Sequence, residues 1–352
     1  GLIVKSTTPF KRLFTTSGIQ IEKAKIKLEE YQASPLITSS AFNNAVRPQG
    51  FHYDYEVDSR VVAFFTGFTG FRFGNSSMLF GDLRIESNEY SYDNKMLTGN
   101  TRDDGTACSF GGCYYNRPED RDDGFEEASF RLGVERNSEP IGFFSQISLG
   151  FRPPQMTELY RLQKKQTVGD IDSEKLMMIE IGTRFLNKHI EGSVSLYSGK
   201  KNDSIFRDSE NFIQDHGKTM HRGMELFVRL NLNEKNLIYL VGTLQEHKYD
   251  FSSETSMKEK ISKGNYVDTA PKTSFNLRWV NLISNRLKSE IEVENLGSYY
   301  TDAANQHMYE GHTLLHFRLL FSSGDKLKQF IRIHNLLNED YAERADFNSY
   351  GG

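Results

Sequence analysis

The sequence of 352 residues lacks a long hydrophobic run and has little proline or tryptophan. No apolar stretch approaches the roughly 18 to 20 residues that a membrane-spanning helix needs, so a helical membrane protein is excluded. There are only 8 prolines and one tryptophan, against 26 phenylalanines and 17 tyrosines. Because aromatic residues favour strands, this composition predicts a β-rich chain. A transmembrane barrel stays open, since only every second residue of its strands is apolar.

A strong charge of one sign is also absent. The formal net charge is -4, which provides no basic field for nucleic acid, so we expect no nucleic-acid partner. The first residues, GLIVK, lack the charged segment and apolar core of a signal peptide. Phosphate-binding glycine loops, nucleophile elbows and metalloprotease helix motifs are missing as well. The sequence therefore predicts no enzyme, no cofactor and no metal centre.

Cysteine is scarce, and both cysteines lie in one segment rich in glycine, aspartate and asparagine. They are Cys108 and Cys113. Their closeness favours a local disulfide, and hence an oxidising compartment. A zinc site or two free thiols would use the same pair of residues.

What the chain does have is an alternation of apolar and polar residues in segment after segment. In one segment, polar residues alternate with Phe275, Leu277 and Trp279, and in another, glutamates alternate with Ile291 and Val293. This period of two is typical of half-buried strands. Alternation alone does not separate a soluble sandwich from a barrel, because both have one polar face.

The connections between these segments separate the two folds. Short turns and long polar loops alternate: the turns fall at 72–77, 137–140, 186–188, 231–236, 283–286 and 322–326, and the loops at about 93–124, 152–173, 207–219, 251–269 and 300–310. All turns then lie at one end of the strands, as in outer-membrane barrels with short periplasmic turns and long extracellular loops. We therefore predict an all-β, antiparallel transmembrane β-barrel wall of about 14 strands. Its polar faces, such as the one with Glu290, Glu292 and Glu294, would line the lumen.

No linker divides the chain, so we predict one domain over residues 1–352. Residues 1–50 show the weakest pattern. A strand is predicted at 18–31, but its alternation changes phase between Ile21 and Ala24. A β-bulge or a misread strand boundary would account for such a phase change.

Four segments carry a resemblance to a known family. They are GFRPPQMTELY at 150–160, SEKL at 173–176 with EIG at 180–182, DTAPK at 268–272, and NLLNEDY at 335–341. In this order they resemble four motifs of TonB-dependent receptors. These are the FRxPxxxELY signature, the glutamate- and glycine-containing start of the next strand, the Ala-Pro that opens a late strand, and the NLxxxxY that precedes the last strand. The resemblance covers roughly residues 53–350.

The resemblance implies a location in a bacterial outer membrane, surrounded by the lipid bilayer. It implies a 22-stranded barrel around an amino-terminal plug, driven by the TonB–ExbB–ExbD energy-transducing complex. The implied activity is the active uptake of a scarce small-molecule ligand, most often an iron–siderophore complex. The chain shows neither a plug nor its TonB-binding box, and it ends at Gly352, where the family continues into a closing strand. We therefore expect a fragment or a truncated member.

Six side chains are candidates for ligand contact. Arg152, Glu158 and Tyr160 lie where a strand ends and a loop begins, and they would line the barrel mouth. Alternatively, Arg152 and Glu158 pair to hold the loop while Tyr160 joins the aromatic belt at the membrane surface. The other three surround the cysteines and would offer aromatic rings to a ligand: they are Phe110, Tyr114 and Tyr115. A disulfide there would otherwise only shorten the loop.

Five histidines lie in or beside the predicted outer loops: His216, His221, His247, His307 and His312. Imidazole is a common ligand for iron and copper. No pair has the helical spacing of a zinc enzyme, so we expect these histidines to be solvated surface residues.

Two other functions fit the pattern less completely. One is a passive outer-membrane porin or a barrel enzyme, which would also lie in the outer membrane but would not use energy for transport. The other is a soluble β-sandwich that binds glycans through its tyrosines and phenylalanines.

Overall fold

The computed structural model describes residues 1–10, 13–74, 76–164, 166, 171–207, 212–254, 260–324 and 327–345. The elements in chain order are β1 Leu2–Phe10, β2 Leu13–Gln32, α1 Ala41–Val46, β3 Gly50–Phe73, β4 Ser77–Asn94, β5 Tyr115–Asn116, β6 Arg121–Arg136, β7 Ile141–Arg152, α2 Met156–Leu159, β8 Leu162–Gln163, β9 Glu174–Leu186, β10 Ile190–Arg207, β11 Ile213–Asn233, β12 Asn236–Tyr249, β13 Ser253–Glu254, β14 Lys260–Ile261, β15 Thr273–Ser284, β16 Leu287–Leu296, β17 Tyr299–Tyr300, β18 Met308–Tyr309, β19 His312–Ser323 and β20 Leu327–Ile333. Among these described residues, no helix has the length and apolar character to cross a membrane.

Fourteen of the strands form one continuous antiparallel sheet. Their order is β1-β2-β3-β4-β6-β7-β9-β10-β11-β12-β15-β16-β19-β20. Neighbours in the sheet are also neighbours along the chain, apart from the short strands inside the loops. The predicted all-β antiparallel fold and its count of about 14 strands are therefore confirmed. The alternative of a sandwich is wrong, because the long strands form one sheet rather than two packed sheets.

The two ends of the sheet differ, as the sequence predicts. The six short turns join β3 to β4, β6 to β7, β9 to β10, β11 to β12, β15 to β16 and β19 to β20. The long connections lie at the opposite end. The predicted loop 207–219 is wrong in part, because β11 already begins at Ile213, which pairs with Arg207. Backbone pairing continues here although the side chains no longer alternate between apolar and polar.

Residues 1–50 contain two strands and a short helix. The predicted strand 18–31 lies inside β2, which pairs with β3. The alternative of a bulge is wrong, since pairing is continuous from Ile21 to Ala24 and shifts only between Glu30 and Tyr31. The boundary was misread, because the strand extends over Leu13–Gln32.

The phase change in β2 has another cause, which is a change in the face that carries apolar residues. Ile19 and Ile21 are exposed on the outer face of the wall. Further along, Leu28 packs on the inner face against a buried aromatic cluster. The apolar residues of β2 therefore change from the outer to the inner face of the sheet between Ile21 and Leu28, where the long loops begin to cover the inner face.

The outer face of the wall is an apolar belt. The large apolar side chains exposed on it include Phe64, Ile85, Ile179, Ile181, Leu196, Phe275, Leu277 and Trp279. The opposite face is polar: Arg84 donates from Nε to Glu86 at 2.7 Å and from Nη1 to Gln20 at 2.9 Å. Asn276 donates to Glu292 at 2.8 Å. An apolar outside and a hydrogen-bonded polar inside are the two faces of a transmembrane barrel wall.

Candidate functional site

Two long loops fold together over the inner face at the loop end of β2, β3 and β4. Their contact is a two-residue ladder in which Tyr115 pairs with Gln163 and Asn116 with Leu162. The hydroxyl of Tyr53 on β3 donates to the carbonyl of Leu162 at 2.5 Å. We call this folded pair of loops, residues 95–120 and 153–164, the loop cap.

A fully buried arginine holds the first of these loops in shape. Arg117 is 1% exposed, and its guanidinium donates to the carbonyls of Leu97 at 2.6 Å, Thr101 at 2.7 Å and His52 at 3.2 Å. These acceptors are neutral oxygens, and their arrangement in a fan matches the fork of donors on a guanidinium. No sequence motif marks Arg117, because most of its acceptors are backbone carbonyls, which no side-chain pattern reveals.

The two cysteines are joined in the same loop. Cys108 and Cys113 form a disulfide with a Cα–Cα distance of 4.8 Å, which confirms the predicted local bond. Cys113 is fully buried, and it packs in the aromatic cluster beneath the loop. The disulfide therefore anchors the tip of the loop to the core of the cap.

Arg152 and Glu158 pair with each other. Arg152 donates to Glu158 at 2.9 and 3.1 Å and to Glu174 at 2.6 Å. Glu158 also accepts from the backbone nitrogen of Gln155 at 2.6 Å, closing a capping box at the start of α2. The predicted structural pairing of Arg152 with Glu158 is thus present, and it ties the end of β7 to α2 and to the start of β9.

Tyr160 lies in the core of the cap and is fully buried. Its ring stacks on Tyr92 of β4 with 4.3 Å between centroids, and its hydroxyl donates to Asp123 at 2.8 Å. Burial raises the pKa of the Tyr160 hydroxyl, and the bond to Asp123 raises it further. The alternative role in a membrane-surface belt is therefore wrong, because the ring faces the protein interior.

A polar basin opens beside the cap, between the tops of β2, β3 and β10. Its volume is about 490 Å³, within the usual range for small-molecule sites. The lining residues are Glu30, Gln32, Arg47, His52, Tyr53, Tyr114, Tyr115, Thr157, Arg161, Gln163 and Arg207. Polar and aromatic groups from distant parts of the chain thus converge on one cavity.

Three arginines face one glutamate in this basin. Arg161 donates to Glu30 at 2.8 Å, and Arg47 lies 4.5 Å from the ring centre of Tyr114. Arg207 donates to the carbonyl of Thr157 at 3.3 Å. Burial lowers the pKa of Arg207, and the charge of nearby Arg161 lowers it further. Two cations that disfavour each other make the basin a favourable place for an anion.

The six ligand-contact candidates from the sequence therefore fall in three places. Tyr114 and Tyr115 line the basin. Phe110 is 62% exposed at the loop tip, with its ring 5.5 Å from that of Phe42. The other three, Arg152, Glu158 and Tyr160, lie within the cap or at the strand end beside it. Ligand contact by these residues stays a prediction.

The charged residues of the basin were not found from the sequence. Glu30 and Arg161 are 131 positions apart, and neither belongs to a recognisable motif. Only the curvature of the sheet and the folding of the second loop bring them together.

The histidines do not all behave as solvated surface residues. His221 and His247 lie opposite each other on β11 and β12, half-buried, with 2.6 Å between their Nδ1 atoms, so the prediction is wrong for this pair. It is also wrong for His312, which is half-buried with its Nδ1 atom 2.7 Å from the hydroxyl of Tyr309. His307 is exposed beside Asp302. His216 is exposed, and its ligand atom lies within 4.8 Å of those of Asp172 and Asp203.

These features define a class. A single antiparallel sheet with an apolar outer face, a polar inner face, short turns at one end and folded loops at the other is the wall of an outer-membrane β-barrel. The chain belongs to the family described as TonB dependent receptor-like, beta-barrel, which matches residues 29–336. Barrels of this family are outer-membrane proteins of Gram-negative bacteria, and they serve as transport receptors rather than enzymes.

Solved structures of this class share the fold at low sequence identity. The ferric-catecholate import receptor Fiu of E. coli K12 matches with a TM-score of 0.73 and 15% identity, over 99% of this chain and 51% of its own. The ferric yersiniabactin uptake receptor FyuA of Yersinia pestis matches with a TM-score of 0.71 and 14% identity, over 96% of this chain and 48% of its own. The copper transporter OprC matches with a TM-score of 0.73 and 14% identity, over 97% and 52%.

The chain thus spans about half the length of these receptors. No curated protein matches its sequence.

Proposed function

We propose that this chain forms the wall and mouth of a receptor for the TonB-dependent uptake of a scarce anionic metal chelate, with an iron–siderophore complex as the first candidate. The observation that carries the proposal is the basin, where Arg47, Arg161 and Arg207 surround a cavity of about 490 Å³ that three tyrosines also line. Charge-assisted hydrogen bonds from guanidinium groups suit carboxylate and catecholate oxygens. Tyrosine rings add flat apolar surface with a polar edge.

Neutralisation of charge is the physical basis of selectivity in this scheme. An anionic chelate would relieve the repulsion between Arg161 and Arg207, whereas a cationic chelate would increase it. Two of the similar structures are a ferric-catecholate import receptor and a ferric yersiniabactin uptake receptor, and the cargo of both is a ferric chelate. Iron–siderophore specificity therefore agrees with the basin chemistry and with the functions of these neighbours.

The energy for uptake would come from the TonB–ExbB–ExbD complex acting on a plug elsewhere in the whole protein. The wall performs no bond chemistry in this scheme. It supplies the outer vestibule, part of the ligand cage and the lumen that the cargo crosses.

Binding of ferric chelates to the whole detergent-purified receptor tests the proposal. We expect ferric catecholates or ferric citrate to bind, and the variants R161Q and R207Q each to weaken binding roughly tenfold to a hundredfold, the usual loss for one charged hydrogen bond. R60Q is the matched control, because Arg60 is an exposed arginine paired with Glu89 outside the basin. Equal affinity in R161Q, R207Q and R60Q would rule the basin out as the ligand site.

Transport is tested in cells. We expect uptake of the bound chelate to stop when TonB is deleted and to return when TonB is restored. Uptake that continues without TonB would favour the passive porin.

A further inference from the structure

A pair of histidines faces the lumen on two neighbouring strands. His221 on β11 is directly opposite His247 on β12. Their Nδ1 atoms are 2.6 Å apart, and the ring centroids are 4.8 Å apart. At this distance the two nitrogens share one proton, so one of them presents a lone pair to the other. The Nδ1 atoms of both rings therefore point to the same place between the two strands.

The pair lies on the inner face, above the apolar belt. On β11, the outer face carries Met224, Leu226 and Val228 towards the turn end, whereas the inner face carries Glu225 and Arg229. His221 belongs to the inner set, because it is an even number of residues from Glu225. Beside His247, the outer face carries Glu246 and Lys248. At the height of His247, the outer face therefore carries charged residues instead of apolar ones, so the histidine pair lies beyond the hydrocarbon region of the membrane.

Both imidazoles are kept neutral. Burial, together with the neighbouring His247 and Lys201, lowers the pKa of His221 to about 4. Burial also lowers the pKa of His247. The hydroxyl of Thr219 is 2.8 Å from Nε2 of His221, which holds that ring in orientation. A neutral, oriented imidazole is the form that binds a transition metal ion.

We propose that His221 and His247 form a binding site for a divalent transition metal ion, with Cu²⁺ as the ion of highest affinity. The metal would enter between the two Nδ1 atoms when the ring that donates the shared proton takes the tautomer with its proton on Nε2, so that both ligands are neutral imidazoles with a lone pair on Nδ1. Metal–nitrogen bonds of about 2.0 Å at the right angle of a square-planar site, which Cu²⁺ prefers, place two adjacent nitrogens roughly 2.8 Å apart, so the rings need to separate by only about 0.2 Å. The remaining positions face the lumen, where water or a donor group of a passing ligand would complete the coordination. Copper leads because it binds nitrogen sites most strongly among the divalent first-row ions.

Titration of the whole detergent-purified protein with Cu²⁺, without any chelator, tests this site apart from the proposed uptake function. We expect one Cu²⁺ to bind near neutral pH, with an electron paramagnetic resonance spectrum that shows two imidazole nitrogens. H221Q and H247Q should each lower the affinity for Cu²⁺ at least about tenfold. Loss of a residue that only hydrogen-bonds to a metal ligand already lowers metal affinity by about tenfold or more. Zn²⁺ in excess should displace the copper.

H216Q is the matched control. His216 lies with Asp172 and Asp203 in an exposed cluster that offers the competing metal site among the described residues. We expect H216Q to bind Cu²⁺ as the unmodified protein does. Loss of binding in H216Q but not in H221Q or H247Q would overturn the proposal.

The unmodified protein gives an independent measurement if the variants fail to fold, which their heat-dependent migration on gels would show. A copper spectrum with fewer than two nitrogens, or no copper bound at about 100 μM, would overturn the proposal without any variant. Failure to bind ferric chelates would leave this outcome unaffected.

Discussion

Glu174 accepts a hydrogen bond from Arg152 at 2.6 Å, joining the first residue of β9 to the last residue of β7. The same carboxylate accepts from Lys201 at 2.8 Å and from the backbone nitrogen of Ile205 at 2.9 Å. One side chain thus connects three consecutive strands of the wall at their loop end, beside the cap. This carboxylate is 5% exposed, so these donors, rather than water, stabilise its ionised form.

We predict that Glu174→Gln loosens the cap and makes its stability less dependent on acid. Burial raises the pKa of Glu174, but the hydrogen bonds from Arg152 and Lys201 outweigh this effect and leave the pKa below its ordinary value. The contribution is therefore fully present above the unfolded pKa, near 4.3, and is lost as pH falls through the lower folded pKa. We expect a loss of about 1–3 kcal/mol at neutral pH, measured by thermal unfolding between pH 3 and 7. Glu89→Gln in the exposed pair with Arg60 should cost less than about 1 kcal/mol; equal losses in both variants would contradict the prediction.

Tyr160 should matter for its ring more than for its hydroxyl. Tyr160→Ala would leave a cavity against Tyr92 and cost about 3–5 kcal/mol. Tyr160→Phe keeps the stack and loses the bond to Asp123, which is worth about 1 kcal/mol. Limited proteolysis measures how far each substitution destabilises the cap. We expect rapid cleavage of the cap in the alanine variant alone. If the two variants were cleaved at the same rate, the stack would not be what holds the cap.

Arg117→Lys should open the first loop of the cap although it keeps the charge. A single ammonium cannot reach the carbonyls of Leu97, Thr101 and His52 together, because they are spread around a planar fork. Each buried acceptor left unsatisfied costs about 1–3 kcal/mol. Hydrogen exchange of residues 97–117 measures the effect, with Arg60→Lys as the control. Unchanged protection in Arg117→Lys would show that one donor is sufficient.

Removing the disulfide should have a smaller and more local effect. Cys108 and Cys113 are 5 residues apart, and closing so short a loop contributes about 2 kcal/mol. We expect the paired Cys108→Ser and Cys113→Ser variant to keep the wall intact, while faster hydrogen exchange is confined to residues 104–114. A collapse of heat-resistant migration in this variant would show that the bond supports the whole wall.

Local patterns were sufficient to predict the wall. Residues such as Phe275 and Leu277 face outwards at every second position, and the short turns predicted from polar clusters lie where strands reverse direction. The motif at 150–160 marked the end of β7 and the start of α2, because a proline pair and a capping box act within a few residues. Those signals are local, so they can be recognised in the sequence.

The phase change in β2 shows where local rules fail. The alternation that suggested a bulge came from Ile21 facing outwards and Leu28 facing inwards, and the backbone pairing between them is regular. The side-chain pattern depends on what covers each face. That covering is the cap, which comes from residues about seventy or more positions away.

By itself, the sequence determined the strands, their number, the asymmetry of their ends, the cysteine pair and the family, because each depends on neighbours along the chain or on the period of two that a strand imposes. Only the tertiary structure decided which polar residues meet. The basin joins Glu30 to Arg161, and the metal site joins His221 to His247, because antiparallel register and folded loops place distant residues side by side. Register is a property of paired strands, so it cannot be predicted from the sequence of one strand alone.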